Sequence, residues 1–509
     1  MSSKKTSNLK MNYWVETDNF SLREIVENFV KIDNEFGDRG INVKWFGAKG
    51  DGITDDTEAI NKAISSVSPS KGGSVFFPFG YYKVTEIKLT SKDVHLFGNG
   101  TILDGCIVVG DQKNVNDLDF RIEGLTFRRY SISKNKNAIE LQNARKGRIY
   151  NCTFFNYDKC IYVRPKPIEQ HTSRVLISNN VFHSANYCLY IDSDNFFQSG
   201  RYYSIGDFQF INNQADSGIN YSHIYGKGVD GLIVKGNTFF FSSHTSKNQT
   251  KLNNINIDFG NFVNIIGNNL FEAGTEAIIL KRINNFLISN NNIPWSGQRV
   301  PSPAISIQKG DIFEKTNEMI GNISNNTIQN PSMTGIHIGS GTANINISCN
   351  IITQVGQADH YYGNNSLSSI KKYAIKVDES SKNIYVNNNH APNSIYSLEG
   401  DCTSTNNIDK NGLNTINNVT KTITDNPNFI EVDGLNQFNL YPTETMEIKG
   451  FSDTFSGNEV TIIAFNNNVK IKNSSELILK NFTNTSLPKF GLIKFRFTTG
   501  KWFEVSRNY

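Results

Sequence analysis

Carboxylates in the middle of the chain fall into two groups suited to acid/base chemistry. Asp192 and Asp258 end two segments of one form, CLYID and NINID, a small residue followed by alternating apolar and outward positions. Glu272 and Glu276 occupy the turn that leads into a third such segment, AIILK. A carboxylic acid and a carboxylate about 6.5–9.5 Å apart can hydrolyse a glycosidic bond with inversion, one protonating the leaving oxygen and the other activating a water. Side chains that bind sugars cluster with them. Tyr162, Tyr190 and Trp295 offer ring faces, and Arg164, Lys281 and Arg299 offer cations for a sugar carboxylate. Lys281 also follows Asp258 by one repeat and can hold it ionised. His337 is the outward residue of a later segment, GIHIG. Catalytic candidates are therefore Asp258, Asp192, Glu276 and Glu272. Substrate-binding candidates are Tyr190, Tyr162, Arg164, Lys281, Trp295, Arg299 and His337. His183, His223 and His244 lack metal-ligand spacing, and no nucleophile elbow or phosphate loop occurs, so neither a metal nor a cofactor is expected.

The elements that must position these residues are repeats. Lys251 to Ile293 states one unit almost twice: an apolar strand, an Asn/Gly turn, an apolar anchor, a small-residue turn and a further strand. The same unit recurs as IEGLTF, IYNCTF, ISNNVF, VKGNTF, IGNNLF, ISNNNI, ISNNTI and ISCNII. A unit of this size cannot bury its own apolar face and has to stack on its neighbours. Period-two alternation sends the Ile positions inward and the intervening residues outward, as two columns on one sheet face. The weak repeat near Ile219 is expected to lie between Asp192 and Asp258 and to contribute Asn220 and Ser222 to those columns. Asp192 and Asp258 are then two strands apart, roughly 9–10 Å at the backbone. Asn at each turn suits left-handed geometry and stacks on Asn in the next coil.

The 509 residues are 38% hydrophobic and 19% charged, with a net charge of +4. No basic stripe with interleaved aromatics points to nucleic acid, and no run of about 18 apolar residues points to membrane insertion. The basic start, MSSKKTSNLK, has no apolar core after it, so no secretory signal is expected. Six cysteines without framework spacing read as unpaired thiols. Residues 1–40 form a leader in which Ser21 caps a helix with an apolar stripe from Leu22 to Phe36, whose partner is the first coil or the same helix of another subunit. Residues 41–103 form an opening module with a capping helix, where Asp55 is the expected cap and the Asp51–Asp56 acids serve turn geometry. Residues 104–417 hold the coils, with the pattern failing around Asp401–Asn417. Residues 418–509 read as an antiparallel β-sandwich with hairpin turns at Asn466–Asn468 and Thr499–Gly500.

FGAKGDGITDDTEAINKAI followed by GGSVFFPFGYYKV resembles the N-terminal signature of the pectin-lyase-like right-handed parallel β-helix superfamily. That superfamily includes polygalacturonase-like hydrolases, polysaccharide lyases and bacteriophage tailspike depolymerases. With the coils, the resemblance covers about residues 41–400. It implies an all-β, right-handed parallel β-helix with an N-terminal capping helix and a C-terminal β module for trimerisation or carbohydrate contact. It further implies a homotrimer on a phage virion, attached through its N-terminus, that binds and cleaves a bacterial surface polysaccharide. The Asp-Asp pair and Gly-His-Gly-type segment of the superfamily's polygalacturonases are not found, which points away from pectin. Lyases of the fold use an Arg or Lys base, and Asp258 with Lys281 fits that pattern too, so hydrolase and lyase both stay open beside a non-catalytic adhesin.

Overall fold

A computed structural model describes all residues except 68–71, 112–115, 165–171, 194–204, 217, 241–252, 310–318, 357–371, 393, 399–401, 406, 409–413, 416–420, 424–428, 432–436, 441–444, 453–458, 465–466, 476, 499–500 and 509. His244 therefore lies outside the described residues. The chain opens with helix α1 (Leu22–Arg39), capped by Ser21, whose side chain accepts from the Glu24 amide. Helix α2 (Thr57–Ser66) follows and buries Ile60, Ala63 and Ile64 against the first strands. Its N-cap is Asp56 rather than the expected Asp55. The Asp56 carboxylate instead accepts from the amides of Lys49 (2.6 Å) and Gly50 (3.0 Å), pinning the Gly-rich turn, while Asp55 accepts from the Thr57 amide. These acids serve turn geometry, as anticipated.

From there the chain winds as a parallel β-helix with three strands per full coil. Strands such as Tyr187–Asp192, Asn253–Asn261 and Ile278–Ile283 form sheet A. Ala144–Tyr150, Thr172–Ser178 and Val263–Ile266 belong to sheet B, and Val181–His183, Asn269–Leu270 and Asn292–Pro294 to sheet C. Every sheet A strand pairs in parallel with its equivalent one coil away, for example Ile255 with Ile278 and Ile278 with Ile305. These inward Ile side chains have no exposed surface, so the apolar alternation turns into one continuous core. Phe127, Phe154 and Phe182 stack inside with centroids 4.9 Å apart.

The turn between sheets B and C carries two ladders where the sequence suggested one. The first turn residue is left-handed: Asn179, Asn212, Gly236, Gly267, Asn290, Asn325, Cys349 and Asn388 all have positive φ. The second is the buried stacking residue: Asn180, Asn213, Asn237, Asn268, Asn291, Asn326, Asn350, Asn389 and Asn407. From Asn180 to Asn389 each ladder amide donates to a main-chain carbonyl of the preceding coil and to the next side-chain oxygen, and that oxygen also accepts a backbone N–H; Asn268 thus donates to Val234 O (3.0 Å) and Asn291 Oδ1 (2.9 Å).

Asn407 extends this ladder, and Cys402–Thr405 still pairs in parallel with Lys382–Asn387. The coil pattern therefore runs into the stretch read as its failure, until Asn407–Ile408 turns antiparallel against Asn414–Thr415. The C-terminal region has its own core around Ile462, Ile493 and Trp502. Its sheets are mixed rather than purely antiparallel. Lys421–Ile423, Gln437–Leu440 and Glu459–Ala464 pair in parallel, as do Met446–Ile448 and Val469–Ile471. Antiparallel pairing joins Glu459–Ala464 to Leu492–Thr498 and that strand to Lys501–Asn508. The strands flanking Asn466–Asn468 belong to different sheets, so no hairpin forms there, whereas Thr498 pairs with Lys501 across the second expected turn, whose own residues lie outside the described ones. Alternation reports which face is buried, not which way the neighbouring strand runs. No disulfide joins any of the six cysteines, and no helix among the described residues is long and apolar enough to cross a membrane.

Because each ladder Asn satisfies several buried groups at once, Asn268→Ala strands at least one backbone carbonyl and the Asn237 amide. Unmet buried polar groups cost about 1–3 kcal/mol each, so a loss of roughly 2–5 kcal/mol is expected. Thermal or urea unfolding of the variant checks this. Replacing the exposed Lys382 by Ala in parallel is expected to cost under about 1 kcal/mol.

Candidate functional site

Strand register on sheet A sets two outward columns. The first runs Glu140, Tyr162, Tyr190, Tyr225, Asn256, Ile279, Ser306, His337. The second runs Asp192, Lys227, Asp258, Lys281, Gln308. The coil between Asp192 and Asp258 exists, but its column residues are Tyr225 and Lys227, not Asn220 and Ser222. The signal was hidden because Gly226 stands where an inward Ile was expected. A Cβ there would come within 2.9 Å of Ile257 Cδ1, so the bulk of Ile257 takes that volume. Ser222 is buried, and Asn220 bonds Asn186 instead.

Tyr225 completes an aromatic platform. Tyr190 stacks on Tyr225 at 4.8 Å and meets Tyr162 edge-on at 5.7 Å. Tyr187 packs on Tyr190 at 4.7 Å and stacks on Tyr221 at 5.5 Å. Sequence reasoning missed Tyr187, Tyr221 and Tyr225; four tyrosines crowded into NYCLY and NYSHIY were the available sign. Lys159 Nζ lies 5.2 Å and 5.0 Å from the Tyr162 and Tyr190 ring centres. It is held by Asp158 at 2.9 Å. Burial pushes the Asp158 carboxyl up, but Lys159, the Asn186 amide and the Asn135 N–H outweigh it and leave the group below its usual range. Burial, then Tyr225 and Asp192, raise the Tyr190 phenol, so it stays a neutral hydroxyl with a ring. Val163 pairs with Ile191, which puts Arg164 beside Asp192 at the edge of this platform.

The second column alternates in charge. Asp192 and Asp258 are two coils apart with Lys227 in register between them. Lys281 is in register with Asp258, yet the cation that grips Asp258 is Arg282: its Nε is 2.8 Å and its Nη2 2.6 Å from the two carboxylate oxygens. Arg282 is left-handed (φ 54°), which swings its side chain to the face that strict alternation assigned to Lys281. A two-pronged guanidinium holds a carboxylate far more firmly than an ammonium.

The other carboxylate pair sits where sheet C turns into sheet A, and here the structure brings four candidates together. The Glu272 amide donates to Pro294 O, making Glu272 and Trp295 equivalent corner residues of successive coils, both left-handed (φ 53° and 56°). The loop after Trp295 lies along the turn after Glu272, with Gly297, Gln298 and Arg299 amides donating to the carbonyls of Thr275, Ala273 and Gly274. Glu276 accepts from Asn253 Nδ2 at 3.0 Å, and Asn253 Oδ1 accepts from Asn256 of the first column at 3.3 Å, which ties this corner to the tyrosine face. Burial pushes Glu272 from the ordinary carboxylate range up to about 7. His337 is apart: it lies three coils beyond Asn256 and bonds Asp378 at 3.0 Å, and Asp378 also takes Lys376 at 2.8 Å. Among the described residues no group of three or more His, Cys, Asp or Glu is arranged to hold a metal ion.

The structure defines a pectin lyase-like parallel β-helix with an aromatic and carboxylate-lined sheet face. The chain belongs to the rhamnogalacturonase A/epimerase, pectate lyase-like family, which matches residues 40–299. Over 91 residues it is 43% identical to plasmin and fibronectin-binding protein A of Streptococcus pneumoniae, 17% of this chain and 13% of that protein. Over 82 residues it is 38% identical to the preneck appendage protein of Bacillus phage PZA, 16% of this chain and 8% of that protein. The chain thus spans only a small part of either relative's length. Among solved structures it is similar to the Azotobacter vinelandii mannuronan C-5 epimerase AlgE6 A-module, 15% identical with a TM-score of 0.44, covering 72% of this chain and 98% of that one.

The raised Glu272 has a consequence for stability. Its folded pKa, about 7, exceeds the ordinary value of 4.5, so the protonated form favours folding. That contribution is full below about pH 4.5 and is lost as pH rises through about 7. Glu272→Gln, which cannot ionise, is expected to melt close to the wild type at pH 4 and above it at pH 8. Scanning calorimetry at both pH values checks the crossing.

Proposed function

We propose that this protein is a glycan depolymerase of the tailspike kind, which binds a bacterial surface polysaccharide along sheet A and hydrolyses it at the Glu272 corner. The observation that carries this reading is geometric: Glu272 and Glu276 share one corner with Trp295 and Arg299, and Glu276 is one hydrogen-bond relay from the tyrosine platform, while burial pushes the Glu272 carboxyl up to about 7, which suits it to donate a proton. In it Glu272 is the general acid. Glu276, oriented by the Asn253 amide, is the base that activates water. The platform of Tyr162, Tyr190 and Tyr225 stacks sugar rings, and Trp295 and Arg299 hold the chain on the far side of the cleaved bond. Asp192 and Asp258, alternating with Lys227 and Lys281, orient hydroxyl and carboxylate groups rather than transfer protons. The grip of Arg282 on Asp258 supports that division, because the guanidinium already engages both carboxylate oxygens.

The similarity to a phage preneck appendage protein supports a virion location, with the leader at residues 1–40 attached to the particle. Helix α1 supports a homotrimer: Leu22, Phe29 and Phe36 recur at heptad spacing and are 70%, 65% and 54% exposed in the single chain, an apolar stripe that three copies would cover. Sedimentation is expected to give three times the chain mass for the wild type and a smaller mass for Phe29→Asp. A monomeric wild type would remove the trimer and leave the cleavage proposal standing.

Capsular polysaccharides from a strain panel, sized by chromatography after incubation, test cleavage. Shortened chains without a new ultraviolet-absorbing double bond are expected. Glu272→Gln and Glu276→Gln should each lower the rate about 10²–10⁴-fold, and Glu272→Gln should abolish the alkaline limb near pH 7. Tyr190→Ala should act mainly on KM. A new double bond in the products would make the enzyme a lyase. Intact chains from a strain the protein binds would make it an adhesin.

A further inference from the structure

A second groove lies on sheet B, away from the tyrosine face. It encloses about 550 Å³ and is lined by Arg121, Lys146, Arg148, Arg174 and Gln209, with Asp119 and Asp207 at its margins. That volume is in the range of small-molecule and oligosaccharide sites, roughly 300–1,000 Å³. The strand register explains how it forms. Arg148 pairs directly with Arg121 across adjacent coils, and Leu176 and Gln209 continue that column. Asp119, Lys146, Arg174 and Asp207 are all left-handed, and they build a second column at the bulged corner beside it.

The charges are unequally matched. Lys146 is neutralised by Asp117 at 3.0 Å, and Arg174 has only a distant partner in Asp207 at 3.9 Å. Arg121 and Arg148 are exposed, and neither has a carboxylate within ion-pair distance among the described residues. Like charges directly opposite on neighbouring strands, about 4.8 Å apart, destabilise a sheet. The preceding member of the column, His95, is pushed towards its neutral form by burial, against the pull of Glu123 and with some help from Arg121. Two unneutralised guanidiniums one coil apart, in a groove of this size, are suited to an external anion with two carboxylates at similar spacing.

We propose that this groove is a second saccharide site that holds an acidic polysaccharide through the paired guanidiniums of Arg121 and Arg148. Guanidiniums bind carboxylates in two-pronged fashion. One coil is close to the rise of one sugar unit in an extended glycan, so successive uronate units meet successive arginines. Gln209 extends the column with an uncharged partner for hydroxyls. Asp119 and Asp207 stand at the two ends of the positive stretch, which limits recognition to a short charged segment. The groove offers no exposed aromatic platform, which a single-stranded nucleic acid would require. The proposal does not depend on cleavage at sheet A. A polymer held on sheet B is kept at high effective concentration for the other face.

Fluorescence anisotropy with labelled oligogalacturonate and oligomannuronate tests it, with the carboxyl-reduced oligomers as controls. The wild type should bind at least one acidic oligomer, more weakly as salt rises, and bind neither reduced one. Arg121→Gln/Arg148→Gln should weaken binding at least tenfold, and Arg148→Lys, which keeps the charge, by less. Tyr190→Ala should leave this binding intact while impairing cleavage, so failure of the groove and failure of the cleavage proposal are told apart. Equal binding by the double glutamine variant, equal binding of a reduced oligomer, or no binding by the wild type to either acid would overturn the proposal. So would a fall in sedimentation mass on making the double variant, which would make the groove a contact between copies of the chain.

Discussion

The buried amide ladder is the constraint on which everything else rests. A β-helix coil has to turn a corner between sheets B and C with its backbone buried, where water cannot satisfy it. Each ladder Asn has two donors and an acceptor with two lone pairs, and it spends them on a carbonyl and a backbone amide of the preceding coil and on the neighbouring side chains. The bonds run along the stack, so they fix the rise and also the angular position of each coil relative to the last. Apolar packing alone would tolerate slippage, since one inward Ile resembles another. The amides do not, because a shifted coil would leave a row of buried polar groups unmet. The left-handed residue just before each ladder Asn bends the chain so that the amide points inward.

Registration at one corner fixes the other faces. Once coils are locked at the B–C turn, Tyr190 must lie beside Tyr225, and Arg121 beside Arg148. Long-range chemistry thereby becomes a matter of counting strands. The loops that follow sheet C are free to differ in length because the ladder, not the loop, holds the next strand in place. That freedom lets the segment after Trp295 fold along the segment after Glu272 and shield it. Glu272 is raised by exclusion of water.

Much of this was legible beforehand, and the failures have physical causes. Coils, inward Ile and the two outward columns follow from period-two alternation and a repeated turn. Alternation breaks where one inward position is Gly, so Gly226 concealed Tyr225 and Lys227 although their coil was anticipated. It also breaks at a left-handed residue, which is why Arg282 and not Lys281 grips Asp258. Tyr187 and Tyr221 lie at strand ends, where alternation assigns no face. Parallel and antiparallel partners share one alternation, so the C-terminal sheets could not be given a direction. The proximity of Glu272, Glu276, Trp295 and Arg299 was read from loop composition, but the burial that changes the proton affinity of Glu272 depends on the packing of two loops from different coils.

The same logic separates the charges of the two faces. Along sheet A the second column alternates Asp192, Lys227, Asp258, Lys281, an arrangement that lowers its own energy strand by strand and needs no ligand to be stable. The bulged corner of sheet B balances its charge as well, with Lys146 and Arg174 flanked by Asp119 and Asp207. The column beside it does not: Arg121 meets Arg148, and the carboxylate two positions along from Arg121, Glu123, is engaged by His95 at 3.0 Å and Tyr150 at 2.6 Å. A stack that balances charge at neighbouring positions and leaves it unbalanced at one has a local electrostatic deficit that its own side chains do not fill. Coil registration then turns that deficit into a spaced pair of donors. Sheet A, by contrast, presents its unsatisfied character as aromatic surface and a buried acid. The two faces suit different parts of one task, one holding charge at fixed intervals and the other stacking rings next to a proton donor.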